Sequence, residues 1–95
     1  MENWGIITFK HSILVNNPKT TPSELFQKNA RLIAHEVSHM WFGNLVTIEW
    51  WDDLWLNEGF ARFFEHYLLD KLRPQFSIWA KYMVMVHESA LKCDA

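Results

Sequence analysis

The feature that most constrains this chain is a helical pattern that places two histidines on one face. Apolar residues recur at three- and four-residue spacing from about Ser23 to Phe42, which predicts an amphipathic helix. His35 and His39 lie well inside this segment, separated by about 6 Å along the helix axis and about 40° around it. Both imidazoles therefore emerge on the same face and can bind one Zn²⁺ at about 2.0–2.1 Å. The alternative is a surface helix that carries two unrelated histidines.

Two glutamates can complete a catalytic zinc site. Glu36 is about 100° around the helix from His35, so it cannot easily join the same coordination shell. It can instead reach the open position beside the metal, where a carboxylate takes the proton of an attacking water and passes it to the leaving amine. Glu58 is separated from His39 by eighteen residues and lies on a second predicted helix. We expect Glu58 to be the third ligand; the alternative is an ordinary exposed carboxylate.

The remaining pattern predicts a mainly α domain of about three helices with a short N-terminal strand region. β-branched and aromatic residues at 6–9 and 12–15 favour the strands. The second helix should run from 52 or 53 to about 72, and the third from about 75 to 93. A chain of 95 residues is one small domain at most. Because 49% of it is hydrophobic, we expect some aromatic residues to pack against parts of a larger protein.

Composition argues against several classes of function. The net charge is −2 and no run of like charges stands out, which disfavours a nucleic-acid or polybasic membrane surface. The single cysteine, Cys93, cannot form an internal disulfide or a thiolate zinc site. No signal peptide opens the chain, and no apolar stretch approaches the roughly 18 residues of a membrane span. Localisation stays open between the cytoplasm and a membrane-anchored ectoenzyme, and the oligomeric state also stays open.

Three stretches of the sequence resemble one family of zinc peptidases. The pattern His-Glu-x-x-His followed eighteen residues later by Glu resembles the gluzincin arrangement. Residues 34–47 (AHEVSHMWFGNLVT) and 55–61 (WLNEGFA) are similar to the aminopeptidase N and puromycin-sensitive aminopeptidase family. The opening Met1-Glu2-Asn3 resembles the last three residues of that family's Gly-Ala-Met-Glu-Asn motif. The resemblance covers essentially the whole chain.

The resemblance implies a thermolysin-like metallopeptidase catalytic domain, of which residues 1–95 are a part truncated at both ends. Glu36 would be the general base, and Glu2 would bind the free α-amino group of the substrate. The transition-state tyrosine of the family is expected beyond residue 95. The resemblance implies one Zn²⁺ per chain with three protein ligands, namely His35, His39 and Glu58.

The sequence thus predicts a zinc-dependent metallo-aminopeptidase that removes N-terminal residues from peptides with a free amino terminus. Two alternatives stay open: a gluzincin endopeptidase, and a zinc-binding segment without turnover. Asp53, Asn57 or Glu65 is expected to hold a ligand histidine in place, since such histidines usually donate their second N–H to an acceptor. The other histidines have no partner at metal-ligand spacing and are expected to be exposed or partly buried: His11, His66 and His87.

Overall fold

The computed structural model describes residues 3–95, and these residues are mainly helical. The α-helices, in chain order, are α1 (His11–Leu14), α2 (Ser23–Ser38), α3 (Leu54–Leu72), α4 (Ile78–Lys81) and α5 (Glu88–Asp94). The other helical turns are the 3₁₀ turns Trp51–Asp53 and Pro74–Phe76 and the π-helical segment Tyr82–His87, which joins α4 to α5. The predicted mainly α fold is confirmed.

The expected N-terminal strand region is corrected by the structure. Within residues 3–95, strand-like pairing is limited to two isolated bridges, Asn3 with Ile6 and Phe42 with Val46. A strand needs a neighbour to take its backbone hydrogen bonds. Residues 11–14 satisfy theirs locally instead: they form α1, and the Val15 N–H donates to the His11 carbonyl at 3.1 Å.

The second predicted helix has the expected extent, whereas the first ends earlier than expected. α3 follows a 3₁₀ turn and ends at Leu72, two residues before Pro74, which cannot donate a backbone hydrogen bond within a helix. α2 ends at Ser38 rather than Phe42. The residues after Ser38 fold into tight turns, in which the Trp41 N–H donates to the Ser38 carbonyl at 3.1 Å. These turns bend the chain back towards the end of α2.

The third predicted helix is broken at Ser77. This residue adopts a left-handed backbone conformation with φ of 49°, which separates the 3₁₀ turn from α4. The break lets Phe76 become buried and pack edge-on against Phe26 of α2, with ring centroids 6.1 Å apart. Ile78, the first residue of α4, is only 2% exposed. The C-terminal helical segment is therefore anchored to the rest of the fold at its first residues.

α2 and α3 pack against each other, and a small interior forms around their contact. This interior contains polar as well as apolar side chains. Charged and polar groups are rarely buried in proteins unless they are paired, so the buried polar side chains point to a site. The buried apolar residues are Ala61, Leu69, Phe76 and Ile78. The buried polar residues are Asn29, Ser38, His39, Glu65 and His66.

Five tryptophans are largely exposed: Trp4, Trp41, Trp50, Trp51 and Trp55. None of the helices in residues 3–95 has the length and apolar character needed to cross a membrane.

His66 is buried completely, which corrects the expectation of an exposed or partly buried residue. Its Nδ1 donates to the Arg62 carbonyl at 2.7 Å, and its ring contacts Trp79 and Tyr82 at centroid distances of 5.6 and 4.8 Å. Nε2 has no hydrogen-bond partner among the described residues. Burial lowers the pKa of His66 below its ordinary value of 6.5, although the Arg62 carbonyl and the Glu65 charge oppose this.

We expect His66 to make the fold sensitive to acid. The unfolded chain takes up a proton on His66 near pH 6.5, whereas the folded chain does so only at lower pH. Between these two pH values the unfolded state holds more protons, so the free energy of unfolding falls as the pH falls, by at most about 1.4 kcal/mol per pH unit. In urea unfolding between pH 5 and 8, the free energy of unfolding should fall more steeply on acidification in the wild type than in His66→Phe, because both proteins keep the opposite contribution of His35, whose pKa is raised. The same substitution at exposed His87 is the control, and equal slopes in all three proteins would contradict the expectation.

Candidate metal centre

Three side chains predicted to be ligands meet at the contact between α2 and α3. His35 belongs to the last turn of α2, His39 is the first residue after that helix, and Glu58 lies in the second turn of α3. The two Nε2 atoms are 3.1 Å apart. Glu58 Oε2 lies 3.1 Å from His35 Nε2, and Glu58 Oε1 lies 3.6 Å from His39 Nε2. The three groups are close enough to hold one metal ion.

The chemistry and spacing of these donors fit a zinc ion. Two imidazole nitrogens and one carboxylate oxygen are a common protein ligand set of catalytic zinc. Ligand atoms about 2.0–2.1 Å from a tetrahedral zinc lie about 3.3–3.4 Å from one another. The observed separations of 3.1 and 3.6 Å lie on either side of that value. The donor group would therefore accept the ion with small side-chain movements.

Glu65 holds the far side of the His35 ring. His35 Nδ1 lies 2.9 Å from Glu65 Oε2, and Arg62 donates to Glu65 Oε1 at 2.9 Å. The Glu65 carboxylate is 1% exposed, so its charge is poorly screened by water. Contact with Glu65 raises the pKa of His35 above 6.5; burial opposes the rise, while the charges of Glu58 and Glu36 add to it. Of Asp53, Asn57 and Glu65, it is Glu65 that lies against the Nδ1 atom of His35, a predicted ligand.

His39 is held by a different kind of acceptor. Its ring is nearly inaccessible, and Nδ1 lies 2.9 Å from the Phe42 carbonyl oxygen. This contact could not be predicted from sequence, because every residue has a backbone carbonyl and only the turn after Ser38 brings that of Phe42 to His39. Asn57, another of the considered residues, lies near the same turn, since a Cβ built on Gly43 would be 3.5 Å from Asn57 Nδ2. Asp53 belongs to the 3₁₀ turn before α3.

Glu36 is not one of the three grouped donors. It lines a cavity of about 650 Å³ together with His35 and Glu65. Its neighbours in that cavity include Arg31 and Arg62. Glu2 lies outside the described residues.

Replacing Glu65 by glutamine should weaken metal binding through His35. The substitution keeps the size of the side chain but removes the charge that raises the pKa of His35. Because loss of such a supporting group typically costs about 10–100-fold in metal affinity, we expect a fall of that size in zinc affinity for Glu65→Gln. Competition with a chromophoric chelator measures the affinity, and NMR titration of the zinc-free chain should show a lower pKa for His35. Glu88→Gln, on the exposed face of α5, is the control; equal affinities would argue against a supporting role for Glu65.

The helical fold and the two-imidazole, one-carboxylate donor group define a candidate metal-binding domain. A model of the peptidase family M1 domain matches residues 1–95. The chain therefore belongs to peptidase family M1, which confirms the family resemblance described from sequence.

Three relatives illustrate the similarity. The chain is 44% identical over 95 residues to aminopeptidase N of Lactobacillus helveticus, a match that covers 100% of this chain and 11% of that protein. It is 43% identical to membrane alanyl aminopeptidase of Manduca sexta, over 100% of this chain and 10% of the relative. It is 42% identical to puromycin-sensitive aminopeptidase of Caenorhabditis elegans, again over 100% and 10%. The chain thus spans about a tenth of the length of the curated relatives it matches. No solved structure gave a significant match.

Proposed function

We propose that the chain is the zinc-binding part of a metallo-aminopeptidase catalytic domain, which removes N-terminal residues from peptides. The observation that carries the proposal is the meeting of His35, His39 and Glu58 within bonding range of a single ion. Membership of a peptidase family and the names of the relatives support the type of reaction. The cofactor proposed is one Zn²⁺ per chain.

Glu36 acts as the general base in this proposal. The zinc, when bound, lowers the pKa of a water molecule and polarises the scissile carbonyl. Glu36 takes the proton from the attacking water and later passes it to the leaving amine. Glu36 is next to His35 in the chain but is not one of the three grouped donors, which supports a role as base and not as ligand.

Glu2 binds the free α-amino group of the substrate. This role is implied by the family's motif, and the described segment just after Glu2 offers support. The Gly5 N–H donates to the sulfur of Met40 at 3.2 Å, and Met40 directly follows His39. The segment after Glu2 is therefore held next to the end of the ligand-bearing helix. A carboxylate pairs with an ammonium group, so Glu2 would select peptides with a free amino terminus.

A segment exchange tests the proposed function. Residues 1–95 replace the matching segment of Lactobacillus helveticus aminopeptidase N, and the chimera is assayed on an aminoacyl-anilide with a free or an acetylated amino group. We expect zinc-dependent hydrolysis of the free-amine substrate, and a raised KM for it in Glu2→Ala but not in the control Glu24→Ala. Equal hydrolysis of the acetylated substrate would indicate an endopeptidase site. A chimera that binds zinc without turnover would indicate a zinc-binding segment alone.

A further inference from the structure

The turn that follows α2, at residues 39–46, has several backbone hydrogen bonds of its own. The Phe42 N–H donates to the Ser38 carbonyl at 3.0 Å, and the Gly43 N–H donates to the Val46 carbonyl at 2.8 Å. The Val46 N–H donates to the Trp41 carbonyl at 2.8 Å, so the two ends of the turn are tied together. The chain is thus fixed over the residues that present the Phe42 carbonyl to His39.

Asn44 ties this turn directly to His39. Its Nδ2 donates to the His39 carbonyl oxygen at 2.9 Å. Carbonyls in the last turn of a helix lack intrahelical partners, so the asparagine amide supplies a donor at the place where the helix ends. The same residue, His39, is therefore held twice: at its carbonyl by Asn44 and at its ring by Phe42.

Gly43 lies in this turn beside His39. Its φ of 133° is a conformation that residues with a side chain rarely adopt. A Cβ at Gly43 would lie 3.4 Å from the His39 carbonyl oxygen and 3.5 Å from His39 Nδ1. These distances are ordinary van der Waals contacts, so the backbone conformation, and not lack of space, makes a side chain at this position unfavourable.

The outer side of the turn is fixed against α3. The Phe42 ring stacks on Phe60 and Phe64, with centroid distances of 5.0 and 4.8 Å and interplanar angles of 13° and 18°. The Phe42 carbonyl consequently has a set direction relative to α3, which also carries Glu58. A carbonyl oxygen only accepts hydrogen bonds. His39 Nδ1 must donate to it, which leaves the lone pair of Nε2 facing His35 and Glu58.

We propose that the Phe42–Gly43–Asn44 turn is a positioning element that fixes the tautomer and ring direction of His39, with Asn44 as the residue that closes it. The inference rests on the proposed function, because a metal ligand must direct the lone pair of Nε2 towards the ion. It differs from the support of His35, where a charged carboxylate on α3 is the acceptor. The turn supports the second histidine with a neutral acceptor from its own chain segment.

Two pairs of matched variants test the turn. Asn44→Asp keeps the shape of the side chain but removes the donor, and Asn17→Asp makes the same change in an exposed loop. Gly43→Ala strains the turn, and Gly59→Ala adds a methyl group where a Cβ meets nothing within 4 Å. If Gly43→Ala does not fold, Asn44→Asp still tests the turn, because aspartate is as compatible with a turn as asparagine.

The first readout is the tautomer of His39 in the zinc-free chain. Long-range ¹H–¹⁵N NMR distinguishes a proton on Nδ1 from one on Nε2. We expect the Nδ1–H form to dominate in the wild type and both controls, and to shift towards a mixture in Asn44→Asp and Gly43→Ala. A dominant Nε2–H form in the wild type, or an unchanged tautomer in both variants, would overturn the proposal.

The second readout is zinc affinity by chelator competition. We expect about a 10–100-fold loss in Asn44→Asp and in Gly43→Ala, the usual cost of removing support from a ligand histidine, and no comparable loss in the controls. Equal affinity in variants and controls would also overturn the proposal. The two readouts separate this inference from the proposed function: a wild-type chain that binds no zinc defeats the function, while the tautomer of the zinc-free chain still decides the role of the turn.

Discussion

Glu36→Gln should abolish most turnover while leaving zinc in place. Glutamine keeps the size of the side chain but cannot take the proton of an attacking water, and general-base catalysis typically contributes about 10²–10⁴-fold in rate. Glu36 lies outside the grouped donors, so its loss should not release the metal. In the chimera with Lactobacillus helveticus aminopeptidase N we therefore expect kcat to fall by about 10²–10⁴-fold with zinc content unchanged.

The control for this change is Glu24→Gln, an exposed glutamate in the first turn of the same helix. It should keep both the zinc and the turnover of the parent chimera. Loss of zinc together with activity in Glu36→Gln would mean that Glu36 is a ligand. Turnover within the range of the control would mean that another group is the base.

Zinc should raise the thermal stability of the chain by a large amount. The proposed ligands come from α2, from the turn after it and from α3. An ion that binds all three would hold the main helix contact together and has no preformed site in the unfolded chain. Free zinc at about 1,000 times its Kd stabilises the folded state by about 4.1 kcal/mol. For a domain of this size that corresponds to a rise in Tm of roughly 15–30 °C.

Calorimetry with and without zinc measures the rise, and His39→Ala tests its origin. We expect the variant to lose most of the zinc-dependent increase, because it lacks one of the three proposed ligands. Magnesium is the ion control, because it prefers oxygen ligands in octahedral geometry and should leave Tm nearly unchanged. A wild-type Tm that does not respond to zinc, or an equal response in His39→Ala, would contradict the account.

The two histidines could be brought together from sequence because both belong to one helical segment. A repeat of 3.6 residues fixes their relative direction without any tertiary information. The position of Glu58 was harder to predict. Its place on a second helix could be predicted from sequence, but its direction towards His35 depends on how α2 and α3 pack. The structure places it there, while its role as a ligand remains a prediction.

The parts that sequence could not supply depend on tertiary packing or on the backbone. The sequence could not choose among Asp53, Asn57 and Glu65 as the group beside His35. The burial of Glu65 against His35 depends on how α3 packs against α2. The Phe42 carbonyl became an acceptor only through the turn after Ser38. His66 was misjudged because its burial comes from Trp79 and Tyr82, which belong to a separate helical segment. The strands expected near the N-terminus are not formed, because local β-propensity does not provide a pairing partner.

The most direct test of the central claim is the zinc content of the purified chain and its variants after dialysis against metal-free buffer. The claim is that His35, His39 and Glu58 together hold one ion, so we expect about one zinc per wild-type chain. We expect the same content in Glu36→Gln and Glu24→Gln, and little or none in His35→Ala, His39→Ala or Glu58→Ala. A wild-type chain without zinc, or a full equivalent retained in His39→Ala, would contradict the claim.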